Sequence, residues 1–413
     1  MKKLIIFLSV LSIIIIGGIV GYKQMYLVSP RVFFNSNNEM IYANENLSGK
    51  KYDDFSKFGA KVENEIVKIN QLKKYVDGIY AFSHKKEGVV ILHVGLKFPI
   101  ISLKINEYFL KSGDIYTLKD EYFKRYEENL KLLGITDLKK LYMKPYKGSF
   151  VLSRNIETIN SVLTSELVID DSIKKALNKN KNGNLGTIIL NMEKNKKVFI
   201  EKAVFSANYT NNTFSYKGSD KWKSEYKDII VIPEVTVLSD YVSEKSLYIS
   251  GVNFENVNIY MEAFKEKLEA KSHILNLVES AIYSSFKVSL NEILSSVGNE
   301  IVYDMEKESG IITLKKIETA KKIVETVEFL NKLGLRYHAE IEGNLLYIGK
   351  EKLGKSNPKK EMKKNQFLYL NQSQSEKMDI EIESYYKNNV IDSEGTIVLS
   401  EDFINIIKKE INN

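Results

Sequence analysis

The chain opens on Met1, Lys2 and Lys3, runs apolar from Leu4 to Val20, and only then settles into alternating polar and apolar positions. About 17 residues make a helix of roughly 25 Å, at the short end of what spans a hydrocarbon core and longer than most signal-peptide cores. The run has no polar face, which sets it apart from the amphipathic helices of a globular core. No A-x-A-like cleavage site follows, since residues 16–22 read I-G-G-I-V-G-Y. An uncleaved signal anchor over residues 1–22 is expected, with a linker over 23–39; the rival reading is a cleaved signal peptide. Lys23 and Arg31 after the run weaken the charge asymmetry that sets orientation, and translocation of the following chain remains the default for an N-terminal segment of this kind.

Beyond the linker the pattern is a series of short strands and amphipathic helices that recurs at a spacing near 200 residues. Met40–Leu47 resembles Leu247–Phe254, each a strand pattern, a turn and a helix start. Val76–Tyr80 leading into Lys86–Leu92, and Val297–Tyr303 leading into Glu308–Leu314, both predict hairpins with Gly-containing turns. Leu118, Tyr122, Tyr126, Leu130 and Leu133 recur at helical spacing, as do Ile317, Ala320, Ile323, Val327, Leu330 and Leu333. Gly134 and Gly334 follow where a left-handed cap belongs. Hairpins come next, Leu141 to Ser153 and Arg336 to Ile348, and then Ile188–Asn191 and Leu368–Asn371 open meanders with long strands, Val198 to Tyr209 and Met378 to Tyr386.

Two matches compete for one register. Ser112–Lys119 also resembles Ser309–Lys315, so either one of the two alignments is accidental or an insertion between Gly95 and Gly113 has blurred the register. A helix over Asn155–Leu163 has no counterpart in the second half, where a lysine-rich loop stands instead.

The pattern predicts an α+β protein: a transmembrane helix followed by two pseudo-repeats, each a mainly antiparallel sheet covered by amphipathic helices. The expected domains are a first repeat over 40–220, a connector over 221–244, a second repeat over 245–400 and a C-terminal helix over 401–413. Helical patterns over Phe58–Val76 and Val257–Leu268 supply further apolar faces. Ile229–Ile232 is expected as a strand, and Leu190 and Leu370 are expected to face the helix layer.

Composition adds constraints. With no cysteine there is no disulfide framework and no thiolate site, so the exported part must be held by its core. The net charge of +7, from 60 Lys+Arg against 53 Asp+Glu, is largely local. Seven lysines fall between Lys350 and Lys364 against Glu351 and Glu361. Such a run reads as a solvated, mobile loop, with another envelope protein or an anionic lipid or polymer as the partner it would take. It lacks arginine and interleaved aromatics, which argues against nucleic acid.

One chemical motif matches in full: Gly349-Lys-Glu-Lys-Leu-Gly354-Lys355-Ser356 has the spacing of a phosphate-cradling P-loop. Its context is wrong. A P-loop helix must begin at the lysine and pack on a parallel sheet, whereas the following N-P-K-K-E-M-K-K offers only Met362 as apolar surface. The four histidines, His84, His93, His273 and His338, are too scattered for a metal cluster, although His84 and His93 lie on adjacent arms of one hairpin. No G-x-S-x-G elbow occurs, and Asp170-Asp171 before Ser172 reads as a helix cap. No catalytic, cofactor-binding or metal-ligating residue is assigned.

With its repeated strand-turn-helix openings, the Leu-Gly helix endings and Lys147-Gly-Ser-Phe-Val-Leu-Ser153, the chain resembles an uncharacterised bacterial family. Its members are N-terminally membrane-anchored extracytoplasmic proteins of unknown function with a duplicated α+β region. The resemblance implies fold and location, at the cytoplasmic (inner) membrane with a single pass and the bulk of the chain extracytoplasmic, and it brings no site residues. The function expected is non-enzymatic envelope binding or scaffolding; the alternative is an exported hydrolase with a site between the two repeats.

Overall fold

A computed structural model of the chain describes residues 26, 28–35, 37–45, 47, 75–85, 87–121, 141–165, 171–179, 185–195, 199–257, 272–334, 336–357, 360–363, 365–374, 378–402 and 404–405. The Leu4–Val20 run, Gly134 with its helix, Asp170 and nearly all of Phe58–Val76 and Val257–Leu268 lie outside these residues. Among them, no helix is long and apolar enough to cross a membrane.

The fold is α+β, with eighteen strands of antiparallel sheet and several helices among the described residues. The chain forms two compact units. Unit 1 comprises Met1–Asn191, Val204–Asn212 and Ile404–Asn413; unit 2 comprises Met192–Ala203 and Thr213–Phe403.

In unit 1 the elements in chain order are β1 (Met40–Asn44), β2 (Gly78–His84), β3 (Glu87–His93), α1 (Phe98–Tyr108), β4 (Phe109–Ser112) and β5 (Ile115–Leu118). They continue with β6 (Tyr142–Tyr146), β7 (Ser149–Ser153), α2 (Ile156–Thr164), α3 (Asp171–Lys179) and β8 (Gly186–Asn191). The strand order is β8-β1-β2-β3-β7-β6-β5-β4. Alternation sends Ile41, Tyr80, Phe82, Ile91, Val151 and Ile189 to one face, where Ile159 and Val162 of α2 and Ile173 and Leu177 of α3 cover them. Leu92, Phe150, Leu152 and Met143 point the other way, toward Ile105 of α1. β7, covered on both faces, is buried at every position. The predicted hairpins of this half are present, and α2 occupies the segment expected to be helical.

β9 (Ile200–Thr210) changes unit at Val204. Unit 2 then contains β10 (Thr213–Trp222), β11 (Ser246–Ser250), α4 (Ser272–Phe286), α5 (Leu290–Ser296), β12 (Val297–Asp304), β13 (Ser309–Leu314), α6 (Ile317–Lys332), β14 (His338–Glu342), β15 (Leu345–Gly349), β16 (Gln366–Gln374), β17 (Met378–Lys387) and β18 (Val390–Leu399). Its order is β10-β18-β17-β16-β11-β12-β13-β15-β14. α5 starts on a capping box, Ser289 with Glu292, and α6 ends at Gly334, whose φ of +99° is the left-handed cap the sequence called for.

Three sequence expectations are corrected. Leu190 and Leu370 are half-buried, and it is their neighbours Ile189 and Tyr369 that sit in the cores, at 0% and 1% exposure. Ile229–Ile232 makes only one bridge, Ile230 with Val252, after a 3-10 turn over Ser224–Ile229. The stretch from Gly95 to Leu118 is a 3-10 turn, α1 and the β4–β5 hairpin, whereas in unit 2 β13 leads directly into α6. Ser112–Lys119 therefore falls on the β4–β5 hairpin and Ser309–Lys315 on β13 and the turn into α6, so the two segments occupy different kinds of element.

Candidate functional site: an apolar cavity behind helix α1

The site is built where β3 ends. The N–H groups of Val94 and Gly95 both donate to the carbonyl of Gly148, at 3.0 Å each, and turn the chain off the sheet. Pro99 in the first helical turn lacks the N–H that would be orphaned there, so it starts α1 at no cost. Lys97 Nζ holds Asp77 at 2.6 Å, tying the turn to the approach to β2. At the far end Lys119 Nζ donates to the Glu107 carbonyl at 2.8 Å and Lys119 N–H to the Tyr108 carbonyl at 3.1 Å, which fixes the hairpin under the helix.

Between α1 and the sheet lies a cavity of about 290 Å³, near the lower end of the small-molecule range. Ile101, Ile105, Leu92, Met143, Phe150 and Leu152 form its walls, and Lys104 and Glu107 are its charged lining residues. Phe98, the first residue of α1, stacks on the lining residue Phe150 at 4.9 Å between ring centroids. The Tyr26 ring lies 5.6 Å from that of Phe98. Backbone approaches closely here as well: a Cβ on Gly148, whose φ is +81°, would fall 2.0 Å from the Tyr26 carbonyl oxygen. Elsewhere in the unit, with Tyr80 on the other face of the sheet, Arg31 makes paired contacts with the Glu45 carboxylate, and Tyr80 Oη donates to the same group at 3.3 Å. The Glu45 contact raises the Arg31 guanidinium, against the opposing effect of burial.

The sequence-selected residues lie elsewhere. His84 and His93 stand at opposite ends of the β2–β3 hairpin, opposite Glu87 and Gly78 respectively, so they do not approach each other. His84 Nε2 meets Ser161 Oγ at 3.1 Å and His93 Nδ1 meets Ser149 Oγ at 2.9 Å; burial lowers both imidazoles. His338 lies beside Glu340, and His273 falls within α4. No group of three or more potential metal ligands occurs among the described residues. Asp171 is the first residue of α3.

The P-loop look-alike follows a strand, but among the described residues no helix follows it before β16. Gly349 is where β15 passes β13, and a Cβ there would lie 2.3 Å from Ser309 Cα, which accounts for the glycine without a phosphate. Lys355 pairs with Asp240 at 3.0 Å. The lysine loop is exposed along most of its described length, as its charge suggested, but it is anchored to the protein. Leu353 is buried and packs with Leu238, Val242, Tyr248 and Tyr369 on the unit 2 sheet, with Met362 beside them. All five described lysines of the loop are ion-paired, to Glu308, Glu340 and Glu342, Asp240, Glu381 and Glu383. The loop covers a sheet face.

The cavity escaped sequence reading because α1 shows no single stripe: Phe98, Ile100, Ile101, Leu103 and Ile105 surround the helix. That surplus of apolar residues, directly after a proline start, was the available signal.

No protein-family profile matches the chain, and no curated protein matches it. Solved structures of TP0453 are similar at low level. Crystal form IV aligns with a TM-score of 0.32 and 8% identity over 47% of this chain and 81% of that one, and crystal form III with a TM-score of 0.32 and 7% identity over 78% and 93%. A likeness of this degree carries nothing about function.

Proposed function

We propose that the chain is a single-pass, membrane-anchored extracytoplasmic protein of the bacterial envelope that binds a partner rather than catalyses a reaction. The observation that carries this is the cavity behind α1: its walls are apolar, suited to burying an apolar ligand and poorly suited to chemistry that needs convergent polar groups. The apolar Leu4–Val20 run supports the anchor, and the short tether from it to Tyr26 supports a site near the membrane. The mature protein is expected to sediment with membranes, resist carbonate extraction, begin at its native N-terminus and be digested by protease only from the extracytoplasmic side. Recovery of a soluble form that starts after Gly21 would overturn the anchor.

The same reading includes an internal duplication. Its support is the order of pairing, β8-β1-β2-β3-β7-β6 in unit 1 against β16-β11-β12-β13-β15-β14 in unit 2, with hairpins at corresponding places. The lysine loop of the second unit then stands where α2 and α3 cover the sheet of the first.

A further inference from the structure

A surface helix ordinarily turns only polar residues outward, whereas α1 exposes apolar side chains beside Lys104, Asn106 and Glu107. Ile100 and Leu103 are 64% and 80% exposed, and Leu110 in the following hairpin is 61% exposed. Exposed apolar groups gathered in this way mark a contact surface. Ile100 also lines the cavity, so the apolar exterior is continuous with the apolar interior.

Chain length says what that surface meets. Tyr26, packed on the first residue of α1, is six positions after Val20, a tether of no more than roughly 22 Å when fully extended. With the Leu4–Val20 run in a bilayer, α1 is held at its surface.

We propose that the cavity receives an acyl chain of a bilayer phospholipid, which enters along α1 while Ile100, Leu103 and Leu110 rest in the interfacial layer. The proposal rests on the anchor reading above. The cavity volume suits part of one chain and leaves the headgroup outside, where Lys104 faces it in company with Glu107.

The test uses the full chain, reconstituted into vesicles of phosphatidylethanolamine and phosphatidylglycerol that contain a phospholipid with a photoactivatable diazirine on its acyl chain. After illumination, label is expected in peptides carrying Ile101–Ile105 and Met143–Leu152 as well as in residues 4–20. Ile105→Trp, which fills the cavity, should remove the label from the Met143–Leu152 peptide. Leu103→Asp changes an exposed side chain, leaves the core intact, and should lower cavity labelling about tenfold, the equivalent of one buried leucine. Label confined to residues 4–20, or cavity label indifferent to both substitutions, sinks the acyl-chain proposal and leaves the anchor standing. Absence of label from residues 4–20 sinks the anchor reading along with it.

Discussion

At the scale of single residues, Glu383 and Gly349 show how much of the unusual chemistry of this sequence serves the fold. Burial pushes the Glu383 carboxyl up, but the Tyr385 hydroxyl and the Lys363 and Lys360 ammonium groups together hold it lower, at about 2. A carboxyl whose folded value lies below its unfolded one contributes stability above the unfolded value near pH 4.3 and loses it as the pH falls toward 2. Wild type should therefore exceed Glu383→Gln by about 1 kcal/mol at pH 6, a figure discounted for the exposed Lys363, and the gap in melting temperature should close by pH 2. A gap that persists at pH 2 would show that packing, and not charge, is responsible. The glycines of the P-loop look-alike are separable in the same way. Gly349→Ala forces backbone apart and should cost about 1–3 kcal/mol, while Gly354, with open space around its Cβ position, should accept alanine with no measurable change in melting temperature. Added Mg-ATP should shift neither, since only a ligand of the folded state stabilises it by mass action.

At the scale of elements, what the sequence made legible depended on whether a pattern distinguished one face from another. Hairpins were readable because a polar or glycine turn separates two period-2 runs, as at Lys85 and Gly343. The face of β8 was not, because Ile188, Ile189 and Leu190 are apolar in succession, and a slip of one residue exchanges inside and outside. Ile189→Ala should accordingly cost about 2–5 kcal/mol in urea unfolding and Leu190→Ala clearly less; the reverse ranking would restore the original assignment. α1 was unreadable for a related reason, being apolar on two faces, and so the cavity behind it was unreadable too. The covering role of the lysine loop was unreadable because it rests on two apolar residues, Leu353 and Met362, among many charges. A buried carboxylate completes that cover. Glu300, 3% exposed, accepts from the N–H groups of Val237 and Leu238 at 2.6 and 3.4 Å and from the Tyr248 hydroxyl at 3.0 Å. Glu300→Ala leaves those donors buried without an acceptor and should destabilise unit 2 by about 2–4 kcal/mol in the same assay.

At the scale of the whole molecule, duplication makes a quantitative demand. Ile189 pairs with Ile41 and Tyr369 with Tyr248, each a buried position in the sheet of its own unit. If the units are copies, Ile189→Ala and Tyr369→Ala should both fall in the range for large core truncations, about 2–5 kcal/mol, when each unit is followed separately by hydrogen exchange. A near-neutral effect at one of the two would count against common architecture. The charge distribution belongs to this scale as well. The surplus of lysine over acid in the Lys350–Lys364 segment is met by acids from distant parts of unit 2, so the net charge of +7 overstates what this segment presents to solvent.

The fully buried Ile404, close to the end of the chain, belongs to unit 1, whose first strand begins at Met40. Order of synthesis then becomes a property of the fold. β1 must wait for β8, 150 residues later by the pairing of Met40 with Leu190, or roughly 10–30 s at ordinary elongation rates, and Ile404 arrives later still. Until then β1 has an open edge in a compartment where it can pair with other chains. A nascent chain stopped after Leu399 should stay protease-sensitive throughout unit 1, and extension through Ile404 should confer resistance within a single step, so that a residue far downstream of β1 times the folding of the unit that β1 begins.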